Sequence, residues 1–290
     1  MLATPNSWGR EPTKRSNKGL NAPFSKTFWC CWLLIWIFPF LFAGAIFAQT
    51  NSAATNQVTI ANLSKRAERV YQAARTRLQS TPNDAEAAWQ FGRAAFDWAD
   101  YVTTDKERAD IAQQGIAACR KVIEKDPESA VGHYYLGMNL GQLARTKDLG
   151  ALKIVDQMEA EFKIALSLDP KLDHAGPDRN LGLLYRDAPG WPVSIGSKSK
   201  SKTHLQNALK LAPEYPENLL NVIEADLKWG DKNGAIRELK KLDELWPTAR
   251  QEFAGDAWIS SWADWEKRRG ILQKHVSATS KALQPPHEKP

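Results

Sequence analysis

The chain has 290 residues, 39 Lys plus Arg against 33 Asp plus Glu, and 43% hydrophobic residues. That length suits one or two domains, and a quarter charged with a tenth aromatic excludes collagen and wholesale disorder. The net charge of +6 sits mostly at the front, where Arg10, Lys14, Arg15, Lys18 and Lys26 face Glu11 alone, so the remainder lacks the concentrated positive charge of a nucleic-acid binder.

Residues 1–27 are polar and basic. Phe28 to Phe47 then carries no charge, close to the ~20 residues that span a bilayer. Positive charge before this run orients the leading end to the cytoplasm. Ala48 before Gln49 reads as a signal-peptidase boundary, although Ile46 is larger than the usual small residue there. Residues 1–48 are therefore expected to be an export signal, with an uncleaved anchor as the alternative. Both place the rest of the chain in the periplasm, or on the membrane facing it, with no other membrane contact. Cys30 and Cys31 fall inside the run, and Cys119 is left as a lone thiol at an expected helix-core position.

Residues 49–60, rich in Asn, Gln, Thr and Ala, read as a linker. Lys65 to Gln79 reads as a lone capping helix, with Val70, Ala74 and Leu78 recurring every four residues. Beyond it the chain repeats. Pro82, Pro127, Pro170, Pro213 and Pro247 are 45, 43, 43 and 34 residues apart. Eight residues before the last four stand Cys119, Phe162, Leu205 and Leu239; five before stand Val122, Ala165, Ala208 and Leu242. A spacing of three puts each pair on one helix face. Each proline is expected to stop its helix, having no amide donor and biasing its predecessor away from helix.

A second helical pattern follows each proline. Phe91-Gly92, Leu136-Gly137 and Leu181-Gly182 carry an apolar residue before glycine, which allows close helix approach, and Ile223 stands at the fourth equivalent position. Leu181-Gly-Leu-Leu-Tyr185 resembles the tetratricopeptide repeat, a helix–turn–helix unit of about 34 residues. The span to the next proline is 35, 33 and 31 residues from Gly92, Gly137 and Gly182, against 24 from Ile223. The first three hairpins are thus stretched. The extra length reads as longer helices over 105–125 and 151–169, and as an irregular loop over 188–202. Such stretched units, with Gly176-Pro-Asp-Arg179 and an inserted loop, are similar to the periplasmic T-component family of TRAP transporters.

Residues 251–275 read as a closing helix, in which Trp258, Trp262 and Trp265 share a face and pack as a lid on Trp246. Residues 276–290 read as a flexible tail. The expected fold is all-α: a right-handed solenoid over 61–275 of about four such hairpins with capping helices.

Catalytic chemistry is not legible. His133, His174, His204, His275 and His287 form no ligand pair at i, i+4, and no Cys/His cluster exists. No nucleophile elbow, phosphate loop or dinucleotide fingerprint occurs. The expectation is a binding protein, not an enzyme, with no metal and no cofactor. In the loop, Trp191 reads as a plug onto the stack, with Lys198, Lys200 and Lys202 as solvated charge; the other reading is a ligand or anion clamp.

The repeat resemblance implies binding along the inner face of the first helices. The matching positions are Trp89, Arg93, Phe96, Tyr134, Met138, Arg179, Leu183, Arg186, Leu220 and Glu224. Of these, Trp89, Arg93, Tyr134, Met138, Arg179 and Arg186, joined by Trp191, form the candidate site. Aromatics among arginines suit a protein or peptide partner, or an amphiphilic small ligand. The transport resemblance implies instead a ligand-binding component of a TRAP-type system.

Overall fold

The computed structural model describes residues 50–147 and 150–283. The export segment expected at 1–48 lies outside the described residues. Among the described residues no helix is long and apolar enough to cross a membrane.

Ten α-helices run in order: α1 (Thr50–Ser80), α2 (Ala85–Ala99), α3 (Asp105–Lys125), α4 (Ala130–Ala144), α5 (Ala151–Leu168), α6 (Leu172–Asp187), α7 (Lys198–Leu211), α8 (Pro216–Lys228), α9 (Lys232–Glu252) and α10 (Ile259–Leu283). No strand occurs among the described residues; Gly190 and Gly196 form one isolated bridge. The helices pair as hairpins, α2 on α3, α4 on α5, α6 on α7 and α8 on α9, and each second helix packs on the next first helix.

Local chemistry sets the starts. The side chains of Asp84, Thr104, Ser129, Ser197 and Asp231 each accept a backbone N–H of the first turn of the helix that follows. These side chains satisfy donors that have no partner within the helix.

Inside the first three hairpins a glycine of the first helix faces the side chain eight before the proline. A methyl group at Gly92 would collide with Cys119 Sγ, one at Gly137 would lie 2.6 Å from the Phe162 ring, and one at Gly182 2.6 Å from Leu205. The two sets of repeated positions read from the sequence are therefore the two sides of one contact. In the fourth hairpin Ile223 and Leu239 are both buried in the same cluster. Polar hooks tie neighbouring elements: Asn139 Nδ2 donates to the Gly92 carbonyl at 2.8 Å, and Ser201 Oγ to that of Gly182 at 2.6 Å. The core runs through the stack as successive clusters over α1–α3, α3–α6 and α6–α10.

The stretched units are long helices as expected, with α3 at 21 residues and α5 at 18. Four boundaries differ. The expected linker is helical from Thr50. The irregular part of the third insert ends at Ser197, because that side chain caps α7. Pro247 does not stop α9, which continues to Glu252. One donor is lost there, but Trp246 and Ala249 on either side are buried, and that packing carries the helix through. The closing segment breaks after Phe253, and α10 continues to Leu283, into the expected tail. Trp262 and Trp265 are buried, and the Trp262 ring meets Trp246 edge to face at 5.1 Å, so the aromatic face is a lid.

Gly182→Ala should cost about 1–3 kcal/mol by crowding the Leu205 side chain and its backbone nitrogen. Thermal unfolding should show the loss while far-ultraviolet circular dichroism stays helical.

Candidate functional site

The first helices α2, α4, α6 and α8, followed by α10, present one side-chain row. At one end the Trp89 ring stacks on Tyr135, with centroids 6.0 Å apart and planes at 8°. Arg93 and Asp97, one turn apart on α2, are both exposed. Asp97 nevertheless sits among protein groups. Desolvation, with Asp100 and Asp173 adding negative charge, outweighs the Arg93 guanidinium and pushes its carboxyl up to about 7. Arg93 is held charged by Tyr135, Asp97 and Asp173 nearby.

The middle of the row is an interior network. Asp173, His174 and Ala175 have φ of 50°, 53° and 62°. Three consecutive non-glycine residues in the left-handed region cost about 1–3 kcal/mol each, so surrounding structure must hold them. Arg179 does so. It is 4% exposed. One guanidinium nitrogen donates to the carbonyls of Asp173 and His174, both at 3.0 Å, and the other to the Asp173 carboxylate at 2.7 Å. Tyr134 donates to the same carboxylate at 2.6 Å and accepts from Asn180 at 3.0 Å. A methyl group at Gly176 would lie 2.5 Å from the Tyr134 oxygen, so the turn needs glycine there. The Gly176-Pro-Asp-Arg179 signature thus builds a turn.

Arg186 pairs with Asp187 at 2.8 Å and with Glu224 at 3.4 Å. Arg268 on α10 donates to the other Glu224 oxygen at 2.7 Å and to Asn221 at 2.5 Å. Burial pushes the Glu224 carboxyl up, but the guanidinium groups of Arg268 and Arg186 outweigh it and hold it below the ordinary carboxylate value. These pairs fasten α6, α8 and α10 together.

The expected site residues therefore divide. Trp89 and Arg93 lie together at the accessible end. Tyr134 is fully buried, Met138 is 7% exposed and touches Asn180, and Arg179 and Arg186 have their donors spent inside the protein. The expected place of Arg179 and Tyr134 on an open binding face is corrected by this burial. Trp191 stands apart in the 188–197 turn and is 90% exposed. It is no plug; Ile195 makes that contact with the core. Sequence reading missed Tyr135, Asp97, Asp173 and Arg268. Asp97 was legible as the i+4 partner of Arg93. Asp173 was not, because only the left-handed turn brings it here.

Among the described residues no group of three or more His, Cys, Asp or Glu is placed to hold a metal ion. Cys119 is fully buried, and burial pushes its thiol up to about 12. His133 is bound on both ring nitrogens, to Glu161 at 2.6 Å and to the Pro127 carbonyl at 2.9 Å.

A crystal structure of a thermophilic TPR protein from Thermus thermophilus superposes on this geometry with a TM-score of 0.52 at 17% identity, over 75% of this chain and 97% of that one. The fold is a tetratricopeptide-type α-solenoid. Tetratricopeptide repeat protein 37 of Xenopus laevis is 27% identical over 165 residues, which are 57% of this chain and 9% of that protein. The chain thus spans under a tenth of that relative's length. The family described as Regulator of microtubule dynamics protein 1-3 matches residues 53–175, less than half of the chain. None of these likenesses is to a transport component. They support the repeat fold.

Two outcomes are expected. Arg179→Ala should destabilise by about 1–3 kcal/mol, because it removes the donors that hold the left-handed turn at Asp173 and His174. Denaturant unfolding checks this. Asp97 has a raised folded-state pKa, so its ionisation opposes folding. Its penalty is absent below the unfolded pKa near 4, grows as pH rises towards about 7, and is complete above that. Asp97→Asn should therefore raise the melting temperature at pH 8 and leave it nearly unchanged at pH 3.5.

Proposed function

We propose that this chain is an exported scaffold that binds an extended segment of a partner protein at the α2–α4 end of its first-helix face. The observation that carries the reading is the Trp89–Tyr135 stack beside the exposed Arg93 and Asp97. The half-buried Trp89 ring, backed by the buried Tyr135, offers flat apolar area at low entropy cost, and Arg93 offers a fork that matches a carboxylate. Asp97 beside it supplies an acceptor for a backbone or side-chain N–H of the partner. Aromatic and Arg residues together are the usual carriers of interface energy. The interior pairs of Arg179, Arg186 and Arg268 serve this end by fixing how the helices present it.

Export rests on the charged leader, the uncharged run to Phe47 and the small residue Ala48. Mass spectrometry of envelope fractions should find a chain beginning near Gln49, or a full-length anchored one. Full-length chain in the cytosol would refute both.

Crosslinking through a photoreactive residue placed at Gln90 should capture the partner. Arg93→Ala should then weaken binding by about 1.5–3 kcal/mol, as expected for a charged hydrogen bond. Its melting temperature should stay close to that of the parent, since the side chain is exposed. Unaltered affinity in Trp89→Ala/Arg93→Ala would move the site elsewhere.

A further inference from the structure

The 188–197 turn is a built projection. Gly196 N–H donates to the Pro189 carbonyl at 2.9 Å, Val193 N–H to that of Gly190 at 3.0 Å, and Ser197 N–H to that of Tyr185 at 2.9 Å. A methyl group at Gly196 would collide with the Ala188 carbonyl oxygen, so the base closes only with glycine. Ile195 packs against the core, while Trp191 is 90% and Val193 60% exposed. The fold thus spends backbone hydrogen bonds and an apolar anchor on holding two large apolar side chains in water.

The charge on the turn and on the helix that follows it has one sign. From Ala188 to Pro213 the chain has no Asp or Glu and carries Lys198, Lys200, Lys202 and Lys210. The Lys200 ammonium lies over the Tyr185 ring at 5.0 Å and that of Lys198 over Trp229 at 5.5 Å, which keeps both near the base of the turn. Glu159 near Lys200 and Asp226 near Lys202 lie on other helices, and Asp187, just before the turn, is paired with Arg186 and Lys228.

We propose that Trp191 and Val193 insert into the headgroup region of an anionic lipid bilayer, with the lysines of the α7 N-terminal turns against the lipid phosphates. A protein partner would usually meet an aromatic anchor in a shaped, partly recessed patch. This tip is a bare protrusion with a basic collar. That combination suits the bilayer interface, where Trp is at home and each nearby Lys adds attraction. The uncharged run from Phe28 to Phe47 and the start of α1 at Thr50 leave almost no spacer. An anchored chain would therefore hold the solenoid at a membrane surface, and a processed one would use the turn as its own contact. This contact is separate from the partner face around Trp89.

The core clusters lie wholly between Tyr71 and Val276, so a chain beginning at Gln49 carries the entire fold. That chain is floated with vesicles of phosphatidylcholine alone or mixed with phosphatidylglycerol, at low and high salt. The parent should float with the mixed vesicles at low salt and remain below with phosphatidylcholine alone. Trp191→Ser with Val193→Ser should lower the bound fraction roughly tenfold or more, by removing the buried apolar area. Lys198→Gln should lower it by about fivefold, the worth of one basic residue near an anionic surface. Neither variant should shift the melting temperature. Equal flotation of the Trp191→Ser variant, or no flotation of the parent, would overturn the proposal. Loss of self-association in sedimentation instead would overturn it too, making the turn a contact between copies. Partner capture through Arg93 is read separately, so failure of one reading leaves the other standing.

Discussion

The fold depends on one close approach. In three successive hairpins a first-helix glycine lies under a buried second-helix side chain: Gly92 under Cys119, Gly137 under Phe162, Gly182 under Leu205. Nothing larger than hydrogen fits there without movement, so the interhelix distance is set at that level. Because the contact recurs, each hairpin offers nearly the same surface to the next, and the stack follows. Glycine in a helix interior costs about 1 kcal/mol relative to alanine, so its place here is justified by packing alone.

The stack then leaves a row of first-helix side chains to be used. Most of that row is committed to holding the helices in place. Arg179 secures a left-handed turn, and Arg186, Glu224 and Arg268 tie α6, α8 and α10. Buried ion pairs of this kind add little net stability but are costly to break, so they fix geometry more than they strengthen it. The α2–α4 end keeps Arg93 and Asp97 exposed beside the half-buried Trp89. The face is thus divided, with the interior arginines holding the helices towards one end and the exposed Arg93 and Asp97 at the other.

The repeat was legible because packing contacts recur at fixed spacing. The prolines mark the second-helix cores, and the glycines mark their counterparts. The candidate site was half legible. A linear register places Tyr134 and Arg179 on the binding face, but the left-handed turn at 173–175 rotates the α6 entrance and draws both inside. No local pattern announces three non-glycine residues with positive φ, because tertiary contacts of Arg179 impose them. Pro247 misled for a related reason: a proline ends a helix only where neighbouring packing does not outweigh one missing hydrogen bond. Trp191 misled in the other direction, since burial is the ordinary fate of a tryptophan and Ile195 took its place.

The glycine contact can be tested by a double-mutant cycle. In the parent chain, Gly137→Ala should destabilise by about 1–3 kcal/mol, because the added methyl group meets the Phe162 ring. In a Phe162→Leu background the same change should cost far less, and in Phe162→Ala it should turn stabilising, by up to about 1 kcal/mol from helix propensity. A Gly137→Ala cost that is equal in all three backgrounds would contradict the account, because the glycine would then answer to something other than the side chain above it.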